Sequence, residues 1–265
     1  MRPGSVFAVL CLSAACALGS DAHDDHDGQD AAPPPPAKAA KAASAQAAPK
    51  ASAGAPHSAA KAPAAAGHGA SPAARSPSDE ALKKLLAGNK RFLNATMAHP
   101  DQTAERRTDQ AAGQTPFAII VSCSDSRVPP EVIFDQGLGD LFVIRTAGEV
   151  VSDVAMGSIE YAADHLNVPL ILVMGHERCG AVKATVDGGE APGSIGSIVE
   201  MIKPAVDKAR SQGGDVLDNA VRNNAILVSE RIAASPVIRA KLAKGELKIV
   251  RGVYDLDDGV VKPVP

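Results

Sequence analysis

The sequence FAIIVSCSDSR occupies residues 117–127. Its apolar and β-branched first half follows Thr115-Pro116 and gives way to small polar residues, which is typical of a buried β-strand. The pattern therefore predicts a strand whose carboxyl end carries Cys123 and Asp125, with Arg127 close behind.

A second stretch, LILVMGHERCG at residues 170–180, repeats this arrangement. It predicts another buried strand, broken at Gly175 and followed by His176 and Cys179. In an open parallel sheet, sites form outside the carboxyl ends of the strands. The two stretches can therefore bring two cysteines, a histidine and an aspartate together.

Two interpretations of Cys123 and Cys179 follow from their spacing. Thiolates and an imidazole suit zinc, and three protein ligands with a free fourth position are typical of catalytic zinc sites. Two cysteines in an exported protein also commonly form a disulfide. The spacing alone does not choose between a metal site and a disulfide.

The surrounding residues carry a family resemblance. Cys-Ser-Asp-Ser-Arg at 123–127, after one strand, and Gly-His-x-x-Cys-Gly at 175–180, after another, resemble the paired motifs of the β-class carbonic anhydrases. The resemblance runs from about Ser78 to Pro265. It implies an α/β fold with a mostly parallel central β-sheet flanked by helices, and one zinc ion per chain bound by Cys123, His176 and Cys179.

The resemblance also implies an activity. The enzyme would be a zinc lyase that hydrates carbon dioxide reversibly to bicarbonate and a proton, through attack by zinc-bound hydroxide. Asp125 is either a fourth zinc ligand in a closed state or the partner of Arg127 in an open state. Gln114 and Phe142 are implied to line the substrate pocket, although Phe142 alone fits a plain core position equally well.

Other functions were weighed against this one. Close relatives on the same fold hydrolyse carbon disulfide or carbonyl sulfide, and the zinc motif does not separate them from carbonic anhydrases. A non-catalytic periplasmic zinc-binding protein is a second alternative, but it has no use for Arg127 beside Asp125. A thiol redox protein is disfavoured because Cys123 and Cys179 do not form a Cys-x-x-Cys motif.

Two residues depart from the usual family pattern. Glu149 follows Arg-x-Ala-Gly where asparagine is common, and it is open whether this carboxylate alters local hydrogen bonding or lies in solvent. Glu177 replaces the Ser or Thr often found after the histidine, and it is a candidate cap for a helix starting at Gly180.

The remaining elements are predicted from hydrophobic periodicity and helix-end signals. A helix is expected from Ser78 to about Asn94; in the resembled family it packs on a partner subunit of a homodimer or homotetramer, and packing on its own domain is the alternative. Further predictions are a short helix after Pro129-Pro130, a strand at 140–144, a helix from Asp153 to near Asn167, helical structure over 194–234 broken at 211–214, a strand at 247–254 and a closing hairpin at Asp257-Asp258-Gly259.

The first part of the chain has a different composition. Residues 1–22 combine Arg2, an apolar core and small residues, which is typical of a secretory signal and predicts a periplasmic protein. The apolar core is too short to span a membrane, so no span is expected in the mature chain; lipid attachment at Cys16 is the competing interpretation.

Residues 23–77 are rich in Ala, Pro, Lys, Ser and Gly, and are predicted to be a disordered tether. Its run at 23–27, HDDHD, is either a metal-binding segment or a solvated acidic patch. Residues 78–265 suffice for one catalytic domain with its own core. The net charge of -3, without a basic stripe of interleaved aromatics, argues against nucleic-acid binding.

Overall fold

The computed structural model describes residues 76–265. The predicted signal segment, Cys16 and nearly all of the predicted tether lie outside the described residues, so export to the periplasm stays a prediction. The described residues form five strands: β1 (Ala118–Cys123), β2 (Leu141–Thr146), β3 (Leu170–His176), β4 (Lys248–Tyr254) and β5 (Val261–Pro263).

Helices lie before, between and after these strands. They are α1 (Pro77–Leu93), α2 (Ala104–Gln110), α3 (Pro130–Ile133), α4 (Asp153–Asp164), α5 (Gly180–Asp187), α6 (Ile195–Arg210), α7 (Val216–Ala234) and α8 (Pro236–Ala243), with a short 3₁₀ turn at Ala147–Glu149. No helix within residues 76–265 is both long and apolar enough to cross a membrane.

The strands form one sheet in the order β2-β1-β3-β4-β5. The first four strands in this order are parallel, and β5 is antiparallel to β4. The predicted mostly parallel sheet flanked by helices is confirmed, as is the closing hairpin. β1 and β3 are buried along their whole length because each has a strand on both sides and side chains packed on both faces.

The register of β1 and β3 positions the site. Ser122 pairs with Met174, so Cys123 and His176 lie one and two residues further along neighbouring strands. The predicted break at Gly175 is wrong, because β3 continues through that residue to His176, which pairs with Tyr254 of β4. Glycine fits at position 175 because it has no side chain; a β-carbon would lie 3.3 Å from the Oε1 atom of Glu149.

Helix α1 packs against its own chain. Leu85 is fully buried, and the side-chain amide of Asn89 donates to the carbonyls of Ile133 and Gly259 at 3.2 and 3.0 Å. The helix begins earlier than predicted, because Ser76 and not Ser78 accepts a hydrogen bond from the backbone N–H of Asp79. A further contact of α1 with a partner subunit stays a prediction.

Two helices were not predicted from the sequence. α2 buries none of its residues and therefore has no hydrophobic periodicity to reveal it. It begins at a cap, where the Thr103 hydroxyl accepts from the N–H of Arg106 at 3.1 Å. α8 has a clear start signal in Ser235-Pro236, a capping serine followed by proline in the first turn, and this signal could have found it.

Candidate metal centre

The structure gathers the three predicted zinc ligands. One ligand atom each from Cys123, His176 and Cys179 lies within 4.8 Å of the other two, and all three residues are buried. The two sulfur atoms are 4.0 Å apart and both thiols are free. A disulfide would need sulfur atoms about 2.05 Å apart, so this structure favours the metal-site interpretation.

The geometry of these atoms fits zinc. Tetrahedral zinc with bonds of about 2.3 Å to two thiolates would hold the sulfurs about 3.8 Å apart, close to the 4.0 Å found here. The Nδ1 atom of His176 lies 2.9 Å from the carbonyl oxygen of Glu177, which can only accept, so Nδ1 carries the proton. The buried Nε2 atom has no partner among the described residues, and its lone pair is left for a metal ion.

The surroundings favour the thiolate form of Cys123. The hydrogen bond shared with the Cys179 thiol lowers the pKa of Cys123, whereas the same bond and burial raise the pKa of Cys179. The backbone N–H of Gly148 also donates to Cys123 Sγ, at 3.3 Å. Cys179 itself precedes the first turn of α5, where the helix dipole favours negative charge. A divalent cation between the sulfurs would replace the shared proton and allow both thiols to ionise.

Asp125 is paired with Arg127 at the edge of the ligand set. Its Oδ1 atom accepts from the backbone N–H and the Nε atom of Arg127, each at 2.9 Å, and Oδ2 accepts from Nη2 at 2.8 Å. These hydrogen bonds hold the pKa of Asp125 well below its usual range. Oδ2 lies 3.8 Å from His176 Nε2. The structure therefore shows the arrangement expected for the open state, with Asp125 beside the ligand atoms but bound to arginine.

Arg145 supports the loop that carries these residues. Its Nε atom donates to the carbonyl oxygen of Cys123 at 2.9 Å, and Nη2 donates to the carbonyl oxygen of Asp125 at 2.5 Å. The backbone between Cys123 and Asp125 is thus fixed from β2. The sequence analysis gave Arg145 no role. Its position as a charged residue near the end of the apolar strand β2 was the signal that could have identified it.

The other side of the site is a network of ion pairs. Arg178, which has a left-handed backbone conformation with φ +51°, forms two hydrogen bonds of 2.9 Å with the carboxylate of Asp257. Lys262 pairs with Asp255. Glu177 lies near Asp255 and Asp257 but does not cap α5, since no side chain caps that helix. The predicted cap is wrong because Glu177 is directed to this network, 3.8 Å from Arg178.

Gln114 and Phe142 lie away from the metal ligands within one chain. Gln114 is exposed and precedes β1 by four residues, while Cys123 ends that strand about 17 Å further along. Phe142 is the second residue of β2, pairs with Ile119 and packs near the Tyr161 ring, whose centroid is 6.4 Å away. Their role in the substrate pocket stays a prediction.

Glu149 is buried, and this decides the alternative left open by the sequence. Only 1% of the residue is exposed, and its Oε1 atom accepts a hydrogen bond of 2.8 Å from Asn224 of α7. The carboxyl group therefore takes part in hydrogen bonding beside the centre and does not lie in solvent. Asn224 was missed by sequence reasoning, because 75 residues separate it from its partner.

The sequence is similar to those of known carbonic anhydrases. Residues 118–261 match a family model described as carbonic anhydrase. Carbonic anhydrase 2 of Mycobacterium tuberculosis is 45% identical over 184 residues, which cover 68% of this chain and 89% of that protein. The carbonic anhydrase of Mycolicibacterium smegmatis is 44% identical over 190 residues, which cover 69% of this chain and 91% of that protein.

Solved structures give the same fold. The chain resembles the β-carbonic anhydrase of Coccomyxa in complex with acetazolamide with a TM-score of 0.55 and 30% identity, over 69% of this chain and 86% of that one. It resembles a tetrameric β-carbonic anhydrase of Sordaria macrospora with a TM-score of 0.55 and 23% identity, over 70% of this chain and 97% of that one. The second similarity concerns the fold alone.

Proposed function

This chain belongs to the β-class carbonic anhydrase family, and we propose that it hydrates carbon dioxide reversibly with one zinc ion bound by Cys123, His176 and Cys179. The observation that carries the proposal is the buried ligand set, in which two thiols 4.0 Å apart lie beside an imidazole nitrogen without a partner. Zinc, when bound, is a Lewis acid that lowers the pKa of a coordinated water.

The residues of the chain orient and hold the reacting groups. Asp125 stays ionised beside the ligand atoms, so its carboxylate can accept a hydrogen bond from the attacking oxygen and turn a lone pair of that oxygen toward carbon dioxide. Arg127 holds Asp125 in this position and away from the metal. The Asp125 side chain is 19% exposed, and we infer that the released proton passes to buffer along this exposed side.

The alternatives gain no support. The relatives named above are carbonic anhydrases, and no feature of the described site favours carbon disulfide or carbonyl sulfide. A zinc-binding protein without activity would not need a bidentate Asp125–Arg127 pair beside its ligands.

The activity is expected to rise with pH through the neutral to mildly alkaline range. Two thiolates leave more negative charge on the metal than imidazoles do, so the pKa of the nucleophilic water should lie higher than at a three-histidine site. Asp125 does not cause this rise. Its pKa is depressed, so it loses its charge only on the far acid side and is ionised throughout this range.

The test measures the zinc content of the purified protein and its carbon dioxide hydration by stopped flow at several pH values. One zinc per chain and a rate that rises with pH are expected. A flat profile from neutral to alkaline pH would contradict the proposed nucleophile, and bound zinc without hydration would contradict the proposed reaction.

We also infer that the protein is a homo-oligomer, a dimer or a tetramer. Within one chain, Gln114 and Phe142 lie far from the metal ligands. Their predicted place in the substrate pocket therefore requires a second chain that brings them to a metal centre. Large apolar side chains are exposed on α1 and α4, namely Leu86 (50%), Val154 (84%) and Tyr161 (47%). Burying such side chains stabilises association.

Sedimentation velocity of the zinc-loaded protein is expected to give the mass of a dimer or tetramer over a wide concentration range. Val154→Asp, which places a charge on the exposed face of α4, should shift the distribution toward the monomer. A monomeric wild-type protein with full hydration activity would contradict the inference.

A further inference from the structure

Glu149 and Asn224 form a buried pair beside the metal centre. Glu149 ends the 3₁₀ turn, which contacts β1, β3 and α5. The side-chain amide of Asn224 donates to Glu149 Oε1 and to the carbonyl oxygen of Gly148, each at 2.8 Å. Asn224 is fully buried and Glu149 is 1% exposed. The two N–H groups of one amide are thus both used to hold this turn.

One atom of each side chain in the pair is left over. Among the described residues, Glu149 Oε2 and Asn224 Oδ1 are both buried without a hydrogen-bond partner, although buried polar atoms are nearly always satisfied. Both are acceptors when Glu149 is ionised. A carboxylic acid and an amide can pair in a ring, in which the amide N–H donates to one acid oxygen and the acid O–H donates to the amide oxygen.

The first bond of such a ring is present between Asn224 and Glu149 Oε1. A proton on Oε2 would make that atom a donor, and Asn224 Oδ1 is a buried acceptor without a partner among the described residues. Burial raises the pKa of Glu149 to about 7, and the hydrogen bond from Asn224 opposes this rise.

The turn that this pair holds reaches Cys123. Gly148 offers its carbonyl oxygen to Asn224 and its N–H to Cys123 Sγ, the latter at 3.3 Å. Gly148 has a φ of +66°, and Glu149 has a φ of +43°, which is unfavourable for a residue with a side chain. Such a conformation persists only where the surroundings hold it. The hydrogen bonds from Asn224 to Gly148 and Glu149 hold both residues of the turn.

We propose that Glu149, paired with Asn224, is a positioning residue that holds the Gly148 N–H on Cys123 Sγ and so strengthens metal binding. An N–H directed at a thiolate stabilises its negative charge and fixes its orientation, as outer partners of metal ligands do. The inference rests on the proposed zinc site, because Cys123 is one of its three ligands.

The test compares zinc affinity, by competition with a chelator, in the zinc-loaded full chain and its variants. Glu149→Ala is expected to bind zinc about 10- to 100-fold more weakly, which is the usual effect of removing a residue that supports a metal ligand through hydrogen bonds. Glu149→Gln should keep most of the affinity, because its amide can both accept from and donate to Asn224. Asn224→Asp should weaken binding as Glu149→Ala does, since it removes the donor and sets two acids against each other.

Asn223→Ala is the matched control. Asn223 is also buried on α7, and its amide donates to the carbonyl oxygen of Ala205 and to Gln212 at 3.2 and 3.1 Å, without a bond to the 3₁₀ turn. This variant should lose thermal stability and keep its zinc affinity. A second measurement is the pH profile of hydration, which should move to higher pH in Glu149→Ala because Cys123 keeps more negative charge.

The outcomes separate this inference from the proposed function. Wild-type affinity in Glu149→Ala would overturn the inference alone, and so would a loss in Glu149→Gln as large as in Glu149→Ala, which would show that the carboxylate charge matters. If Asn223→Ala lost as much zinc affinity as Glu149→Ala, the loss would be explained by general destabilisation, and the inference would be overturned. A wild-type protein without zinc would overturn the proposed function, and this inference with it.

Discussion

Cys179→Ser is expected to lose its zinc and, with it, carbon dioxide hydration. Cys179 offers one of the three clustered ligand atoms and is only 1% exposed, so water does not readily replace it. A serine hydroxyl does not ionise near neutral pH, and it replaces a thiolate with a weak neutral donor. Structural zinc sites contribute roughly 10 to 16 kcal/mol over four ligands, or roughly 3 kcal/mol for each. The affinity should therefore fall at least about 100-fold.

The measurement is zinc per chain after dialysis against a chelator, followed by stopped-flow hydration on the same samples. Thr185→Ser is a matched control, because Thr185 is another buried residue of α5 whose hydroxyl donates to a backbone carbonyl, and serine keeps that bond. It should keep both zinc and activity. Full zinc content in Cys179→Ser would show that the ligand set is wrong. Retained zinc with lost hydration would assign Cys179 to the chemistry and not to metal binding.

The grouping of Cys123, His176 and Cys179 could be predicted from the sequence because their placement depends on strand ends. Two apolar runs that each end in a cysteine or histidine predict neighbouring strands, and parallel strands end at the same edge of a sheet. The pairing of Ser122 with Met174 then brings Cys123 and His176 together across 53 residues of chain. No detail of the loops was needed for this step.

The supporting contacts could not be predicted in the same way. The bonds from Arg145 to the carbonyl oxygens of Cys123 and Asp125 depend on where the backbone turns after β1, and no side-chain pattern records this. The pair of Glu149 and Asn224 depends on a left-handed residue in a short turn and on the placement of α7 against it. Sequence reasoning noticed that Glu149 was unusual, but burial and partner became visible only in the structure.

Arg127→Ala is expected to keep zinc and to lose turnover. The guanidinium makes two of the three hydrogen bonds that hold Asp125, and only the bond from the backbone N–H at position 127 survives the change. Asp125 Oδ2 lies 3.8 Å from His176 Nε2, so a side-chain rotation would bring the carboxylate to a metal ion held by that nitrogen. Asp125 would then take the fourth position and exclude the nucleophilic water.

The size of this effect follows from the strength of the lost pair. A charge-assisted, bidentate pair is about twice as strong as neutral hydrogen bonds when it is shielded from water. The Arg127 side chain is 50% exposed, so solvent weakens the pair. We therefore expect kcat/KM to fall roughly 10-fold or more. The kcat/KM of Arg127→Lys should lie between those of the wild-type protein and Arg127→Ala, since lysine keeps the charge but not the two parallel hydrogen bonds.

Zinc content and stopped-flow hydration check this expectation together. In the proposed gate, the Asp125 carboxylate moves between Arg127 and the metal, so activity should fall while zinc is retained. Arg231→Ala is the matched control: Arg231 is 47% exposed and pairs with Asp153 at 3.3 Å, on helices away from the ligands. If turnover falls because Asp125 binds the metal, the inhibition should be relieved in part when Asp125→Ala is added to Arg127→Ala. Full activity in Arg127→Ala would refute the gate, and loss of zinc would make Arg127 a support of the ligand set instead.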